Sequence, residues 1–248
     1  MTAPAQPPPP AARPQPVPPA PPPPADGSRG YRDEAAYVAP MAVFLGLIWV
    51  GTTWKSLYPA AYVARAVIVA ALLVIFWRRY TRISWRYAGL GAIVGVIGIV
   101  QWVGMQLWLQ NTFERFKPDP ADVFNPFATF STPAAAWAFI AVRLFGAVLV
   151  VPVMEELFWR DYLWRQIISP NDFKLAGVGE FEWPAFLIIP AVFATVHAPW
   201  WPTAIVWALM IGALLVYTRS LGACIIAHAV TNLLLAAYVL KTQDWAFW

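Results

Sequence analysis

The sequence predicts an all-α, polytopic transmembrane bundle of about seven to eight helices behind a disordered, proline-rich N-terminal tail. Hydrophobic residues fill 60% of the 248 positions and charged residues only 12%, where a soluble domain carries about a quarter charged. Long apolar runs follow one another with almost no charge inside them, as bilayer-crossing helices require. Trp54, Tyr58, Trp77, Tyr80, Trp85, Tyr87, Trp183, Trp200 and Trp201 stand at the ends of these runs, where an interfacial aromatic belt belongs.

Residues 1–30 hold 13 of the 25 prolines and no apolar pattern, so they read as an extended, solvated tail. Residues 31–248 then form the transmembrane domain. Its apolar runs lie at roughly 36–54, 59–77, 87–109, 135–168, 184–198, 202–218 and 221–240. They are continuous rather than alternating, which selects helices over a barrel. Gly91 and Gly95 make a Gly-x-x-x-Gly pair in the third run, suited to close helix approach within the chain ahead of dimerisation.

Charge placement sets the expected orientation. Arg78, Arg79, Arg82 and Arg86 lie in one short loop, which places that loop and the N-terminus in the cytoplasm. Arg160, Arg165, Lys174 and Arg219 fit the same side, and the mixed loop 111–134 falls outside. No basic stripe suits nucleic acid, so the partners expected are the lipid bilayer and a membrane-associated protein or peptide. The single cysteine, Cys224, allows neither an internal disulfide nor a thiolate metal cluster.

Ionisable side chains in apolar spans cost roughly 2.5–3.5 kcal/mol each at a helix centre and call for a functional explanation. Three groups stand out. In Glu155-Glu156-Leu-Phe-Trp-Arg160, the i, i+4 spacing pairs Glu156 with Arg160 and leaves Glu155 about 100° round the helix. A carboxylate without a cation beside one that has it suits a general base next to a structural acid. In Phe193-Ala-Thr-Val-His197, the histidine ends a short, proline-broken helix, a form tolerated at membrane depth where it lines a wet cavity. In His228-Ala-Val-Thr-Asn232, two hydrogen-bond donors share a helix face and could hold a developing oxyanion. Each group alone also fits a structural role: a helix end at the interface, an aromatic-belt histidine, a bond between spans.

Together, the three motifs resemble the CAAX prenyl protease and bacteriocin-processing (CPBP, or Abi) family of intramembrane endopeptidases, in a protease-like core at about residues 135–240. The resemblance implies that Glu155 and His197 activate the attacking water, that His228 and Asn232 form the oxyanion hole, and that Glu156 and Arg160 support them. It also implies a cavity within the membrane and a lipidated or membrane-associated protein substrate. No cofactor is required on that mechanism. Zinc held by Glu155, His197 and His228 is the alternative, although the His-Glu-x-x-His helix of zincins is absent.

Simple alternation across the bilayer would set Glu155 and His197 at opposite ends of neighbouring helices. The expectation is therefore that Arg143 marks the outer interface, bringing Glu155 to mid-depth, and that segment 184–202 dips in without crossing. The competing class is a non-enzymatic membrane protein, either a transporter or a degenerate protease-like adaptor. No internal repeat supports the former, and no motif residue is missing as the latter would lead one to expect. Gly177-Val-Gly179-Glu180 comes near the Gly-x-Gly-Asp signature of intramembrane aspartyl proteases, but with the wrong acid and in a polar loop. A bacterial inner membrane is the expected location.

Overall fold

The computed structural model describes residues 27–197 and 200–248. Residues 1–26 of the expected tail lie outside the described residues. Seven principal helices follow: α1 (Gly27–Thr53), α2 (Tyr58–Ile75), α3 (Ala88–Thr112), α4 (Pro133–Ile168), α5 (Trp183–Thr195), α6 (Trp201–Thr218) and α7 (Leu221–Thr242). An eighth, Pro126–Thr129, is a single turn. No strand occurs among the described residues. All but α5 and the single turn are long and apolar enough to cross a bilayer. Their outward faces carry exposed Val67, Val74, Ile93, Val100 and Leu149, a surface that only lipid accommodates at this extent. The protein is an integral membrane protein.

The helix bounds follow local chemistry. Thr132 and Ser220 cap α4 and α7, accepting from the backbone N–H of Ala135 and Ala223 at 3.2 Å each. Arg219 turns the chain between α6 and α7 in the left-handed conformation, φ 48°. Helix α5, 13 residues long, spans only ~20 Å at 1.5 Å per residue, against a hydrocarbon core of ~30 Å. It ends at Thr195 and leaves His197 in the turn beyond.

Helix α7 is central, packing against α3, α4 and α6. The glycine pair of the third run makes this possible. A Cβ on Gly91 would overlap the Ala223 carbonyl, one on Gly95 would stand 2.6 Å from the Ala227 oxygen, and one on Gly98 would stand 2.6 Å from Thr231 Oγ1. Thr231 Oγ1 in turn donates to the Gly95 carbonyl at 3.1 Å. The small-residue stripe is thus spent inside the chain, seating the helix that carries His228 and Asn232.

At the end of the bundle where α4 finishes, Asp161 accepts from Arg165 at 2.5 Å and from the Tyr37 hydroxyl at 2.8 Å. Arg165 reaches on to Thr81 and to the Ala176 carbonyl, while Asp33 pairs with Arg79 and Lys174. The orientation reading needs one correction here. Arg160 and Arg165 are buried and paired with acids, so neither serves as a free interfacial charge. The positive-inside argument rests instead on Arg78, Arg82 and Arg86 of the loop between α2 and α3.

Gly91→Leu should destabilise the fold by about 1–3 kcal/mol through overpacking, read as a lowered melting midpoint in detergent. Gly104 has open space around its Cβ position, so Gly104→Ala should leave the midpoint unchanged or raise it slightly.

Candidate active site

Helix α4 is not regular around the glutamate pair. Its turns widen to i→i+5 bonding over Gly146–Val150 and again over Glu156–Leu163, a form that concentrates at functional sites. Proline explains part of this. Val151 N–H donates to the Gly146 carbonyl, five residues back. In the same register the Ala147 carbonyl would take its hydrogen bond from residue 152, which is Pro152 and has none to give. Asn232 of α7 fills the gap, with Nδ2 donating to the Ala147 oxygen at 2.7 Å. One amide proton of Asn232 therefore holds two helices together, and the second stays available.

The two glutamates are separated as their spacing predicts. Glu156 is fully buried and carries the contacts. Its Oε1 accepts from His228 Nδ1 at 2.8 Å, and its Oε2 lies 3.3 Å from Arg160 Nε. Glu155 instead lines a cavity of about 360 Å³, and its Oε2 has no hydrogen-bond partner among the described residues. The Arg160 guanidinium is stacked against aromatic faces, 5.0 Å from the Phe193 centroid and 5.4 Å from that of Trp207.

Both histidines line the same cavity as Glu155 and Asn232. His197 Nδ1 sits 2.9 Å from the Phe193 carbonyl, and a carbonyl only accepts, so Nδ1 carries the proton. In the neutral ring Nε2 is then bare. His228 is held likewise by Glu156 at Nδ1. Aromatic packing fixes both rings: His197 stacks on Phe193 at 4.1 Å, Phe193 on Trp207 at 5.6 Å, and Trp207 meets His228 edge-on at 4.7 Å.

The short α5 thus brings His197 to the level of Glu155. Arg143, expected at the outer interface, is turned inward instead. It is 5% exposed, lines the cavity and donates to the Tyr58 hydroxyl at 2.9 Å. Its helix already begins at Pro133. The glycine-rich loop resolves simply: Glu180 accepts from Gly177 N–H at 2.7 Å, and Gly179 adopts φ 69° against the α6 backbone. Sequence reasoning passed over Arg65, Trp102 and Trp207, all of which line the cavity. Arg65 had a signal, a charge within an apolar run; the two tryptophans had none.

Residues 136–234 match the family model described as type II CAAX prenyl endopeptidase Rce1-like. This stretch is similar to an Rce1-like domain. It contains all six motif residues and runs from early α4 to just beyond Asn232. No curated protein and no solved structure matches the chain. The family match supports a CAAX-type intramembrane protease role in general terms. Among the described residues no group of three or more His, Cys, Asp or Glu is placed to hold a metal ion.

The Asn232–Ala147 bond gives a coupled prediction. Asn232→Leu leaves a half-buried carbonyl without its partner and should cost about 0.5–1.5 kcal/mol. Pro152→Ala supplies a backbone donor in that register, so the double variant should recover part of the loss. A thermal-melting cycle with strictly additive effects would contradict the assignment.

Proposed function

We propose that the chain is an intramembrane endopeptidase that hydrolyses a peptide bond in a lipidated or membrane-associated protein. The observation that carries this reading is the unpartnered Glu155 oxygen in one cavity with two histidines and an amide. Glu155 takes a proton from water, while the bare Nε2 of His197 accepts the second hydrogen and orients the nucleophile. The hydroxide adds to the scissile carbonyl. The resulting oxyanion accepts hydrogen bonds from the free amide proton of Asn232 and from His228 Nε2.

For His228 to donate there, its ring must carry protons on both nitrogens; Glu156 at Nδ1 supplies the compensating negative charge. Collapse of the intermediate breaks the C–N bond, and protonated Glu155 returns its proton to the leaving amine. Glu156 and Arg160 act as positioning residues, holding the His228 ring and the Phe193–Trp207 stack. No metal takes part. We place the chain in the bacterial inner membrane; the arginine loop between α2 and α3 supports a cytoplasmic N-terminus.

Purified protein in detergent should cleave a membrane-anchored peptide substrate. Glu155→Gln and His197→Ala should each lower kcat by about 10²–10⁴-fold with the melting midpoint retained. A metal chelator should leave the rate unchanged. Full activity in Glu155→Gln would contradict the mechanism. A cellular phenotype that survives both substitutions would favour the adaptor reading, and loss of activity on chelation with recovery on added zinc would favour the metal-dependent alternative.

A further inference from the structure

The cavity beside Glu155 extends in one direction along the bundle. The arginine loop between α2 and α3 marks one end, and the α6–α7 turn lies against it, with Ser220 Oγ donating to the Ser84 carbonyl at 2.7 Å. Arg65 lines the cavity from α2, seven residues from the Tyr58 end and ten from the Ile75 end. Trp102 of α3 stands ten residues from Thr112 and fourteen from Ala88. Trp207 of α6 stands six residues from Trp201 and eleven from Thr218. In each helix the nearer end is the one away from the arginine loop. Phe247 and Trp248, beyond the far end of α7, complete the wall.

Toward the arginine loop the way is shut. Next to Glu155 sits the buried Glu156–Arg160 pair. Beyond it Tyr37, Leu157, Phe173, Leu221 and Ile225 belong to one buried cluster. Asp161 and Arg165, also buried, fasten that cluster to Thr81 of the arginine loop through Tyr37 and the Arg165 guanidinium. None of these residues lines the cavity. The opposite end is open. Val196, on the cavity wall, is 40% exposed. A second cavity of about 260 Å³ shares Trp102, His197, Leu235, Phe247 and Trp248 with the first and continues it to Trp200, beside the outer end of α6.

We propose that the cavity takes its substrate from the extracytoplasmic side, so that the scissile bond belongs to a translocated segment of a membrane-anchored protein. The proposal rests on the endopeptidase reading and on a cytoplasmic arginine loop. A cytoplasmic tail has no route to Glu155 through the closed end. Depth adds a second requirement. From His228, α7 runs fourteen residues on to its end at Thr242, or about 21 Å at ~1.5 Å per residue. An extended chain covers that distance in roughly six residues. Any folded domain of the substrate must therefore stand about that far along the chain from the bond that is cut.

The test compares right-side-out with inverted bacterial membrane vesicles carrying the full chain. An acylated, quenched-fluorescent peptide that cannot cross the bilayer is added outside, and the rate of Glu155→Gln vesicles is subtracted. In the Cys224→Ser background, an impermeant thiol reagent on Arg82→Cys reports where the arginine loop lies. Wild type should cleave in right-side-out vesicles and lose that activity in inverted ones, with detergent restoring it; Arg82→Cys should react in inverted vesicles alone. Cleavage in inverted vesicles alone, or equally in both, overturns the proposal while leaving the endopeptidase reading intact. Arg82→Cys reacting on the side that cleaves also overturns it, whichever side that is. If neither vesicle cleaves, the same labelling of Val196→Cys decides: reaction in right-side-out vesicles alone supports the outward mouth, and any other pattern overturns it. Absence of cleavage in detergent as well sinks the endopeptidase reading separately.

Discussion

Glu156 is a carboxylate shut away from water, and the geometry of the site depends on how that charge is compensated. A buried ion left without partners costs several kcal/mol, and removing one member of a buried pair typically costs about 3–5 kcal/mol. Glu156 meets this demand with Arg160 on its own helix and His228 on α7. The second contact ties the glutamate-bearing turn of α4 to the central helix and sets which nitrogen of His228 is held. Arg160 passes the constraint on through its stacking against Phe193 and Trp207, and Phe193 packs on His197. Both imidazoles are therefore positioned, directly or through aromatic rings, from one buried acid.

Regular helix geometry gives way around this point. Helix α4 widens twice, once before the glutamate pair and again from Glu156 onward, and Pro152 removes the backbone donor that the widened turn would use. The defect is repaired from another helix by Asn232. A residue that the motif alone suggests for catalysis thus has a structural contact. Local rules broken at a site and mended from elsewhere in the fold are what functional constraint looks like in physical terms.

Much of the fold is legible in the sequence, because apolar length and helix count follow directly from the bilayer as solvent. The runs 202–218 and 221–240 agree with α6 and α7 to within a residue or two at each end. The separation of Glu155 from Glu156 is readable from helical spacing, as is the Glu156–Arg160 pair. Other features exist only in three dimensions. The Glu156–His228 bond joins residues 72 apart, and no periodicity encodes it. The Asp161–Arg165 pair was accessible through its i, i+4 spacing, but its value comes from Tyr37 and Thr81 on distant segments. Arg143 shows the limit of reading charge as an interface marker: its position in the chain suggests the membrane surface, whereas its side chain points into the cavity.

The central claim is that Glu155, His197 and His228 share one water-filled cavity within the bilayer. The buried Cys224 is the chain's single cysteine, which makes a cysteine-free background simple to prepare as Cys224→Ser. Single cysteines placed at positions 155, 197 and 228 can then be probed in sealed vesicles of known orientation with a membrane-impermeant thiol reagent. All three should react from the same side of the membrane, each protected when the cavity is filled by a bound peptide. Modification of position 197 from one side and of position 155 from the other would contradict the account.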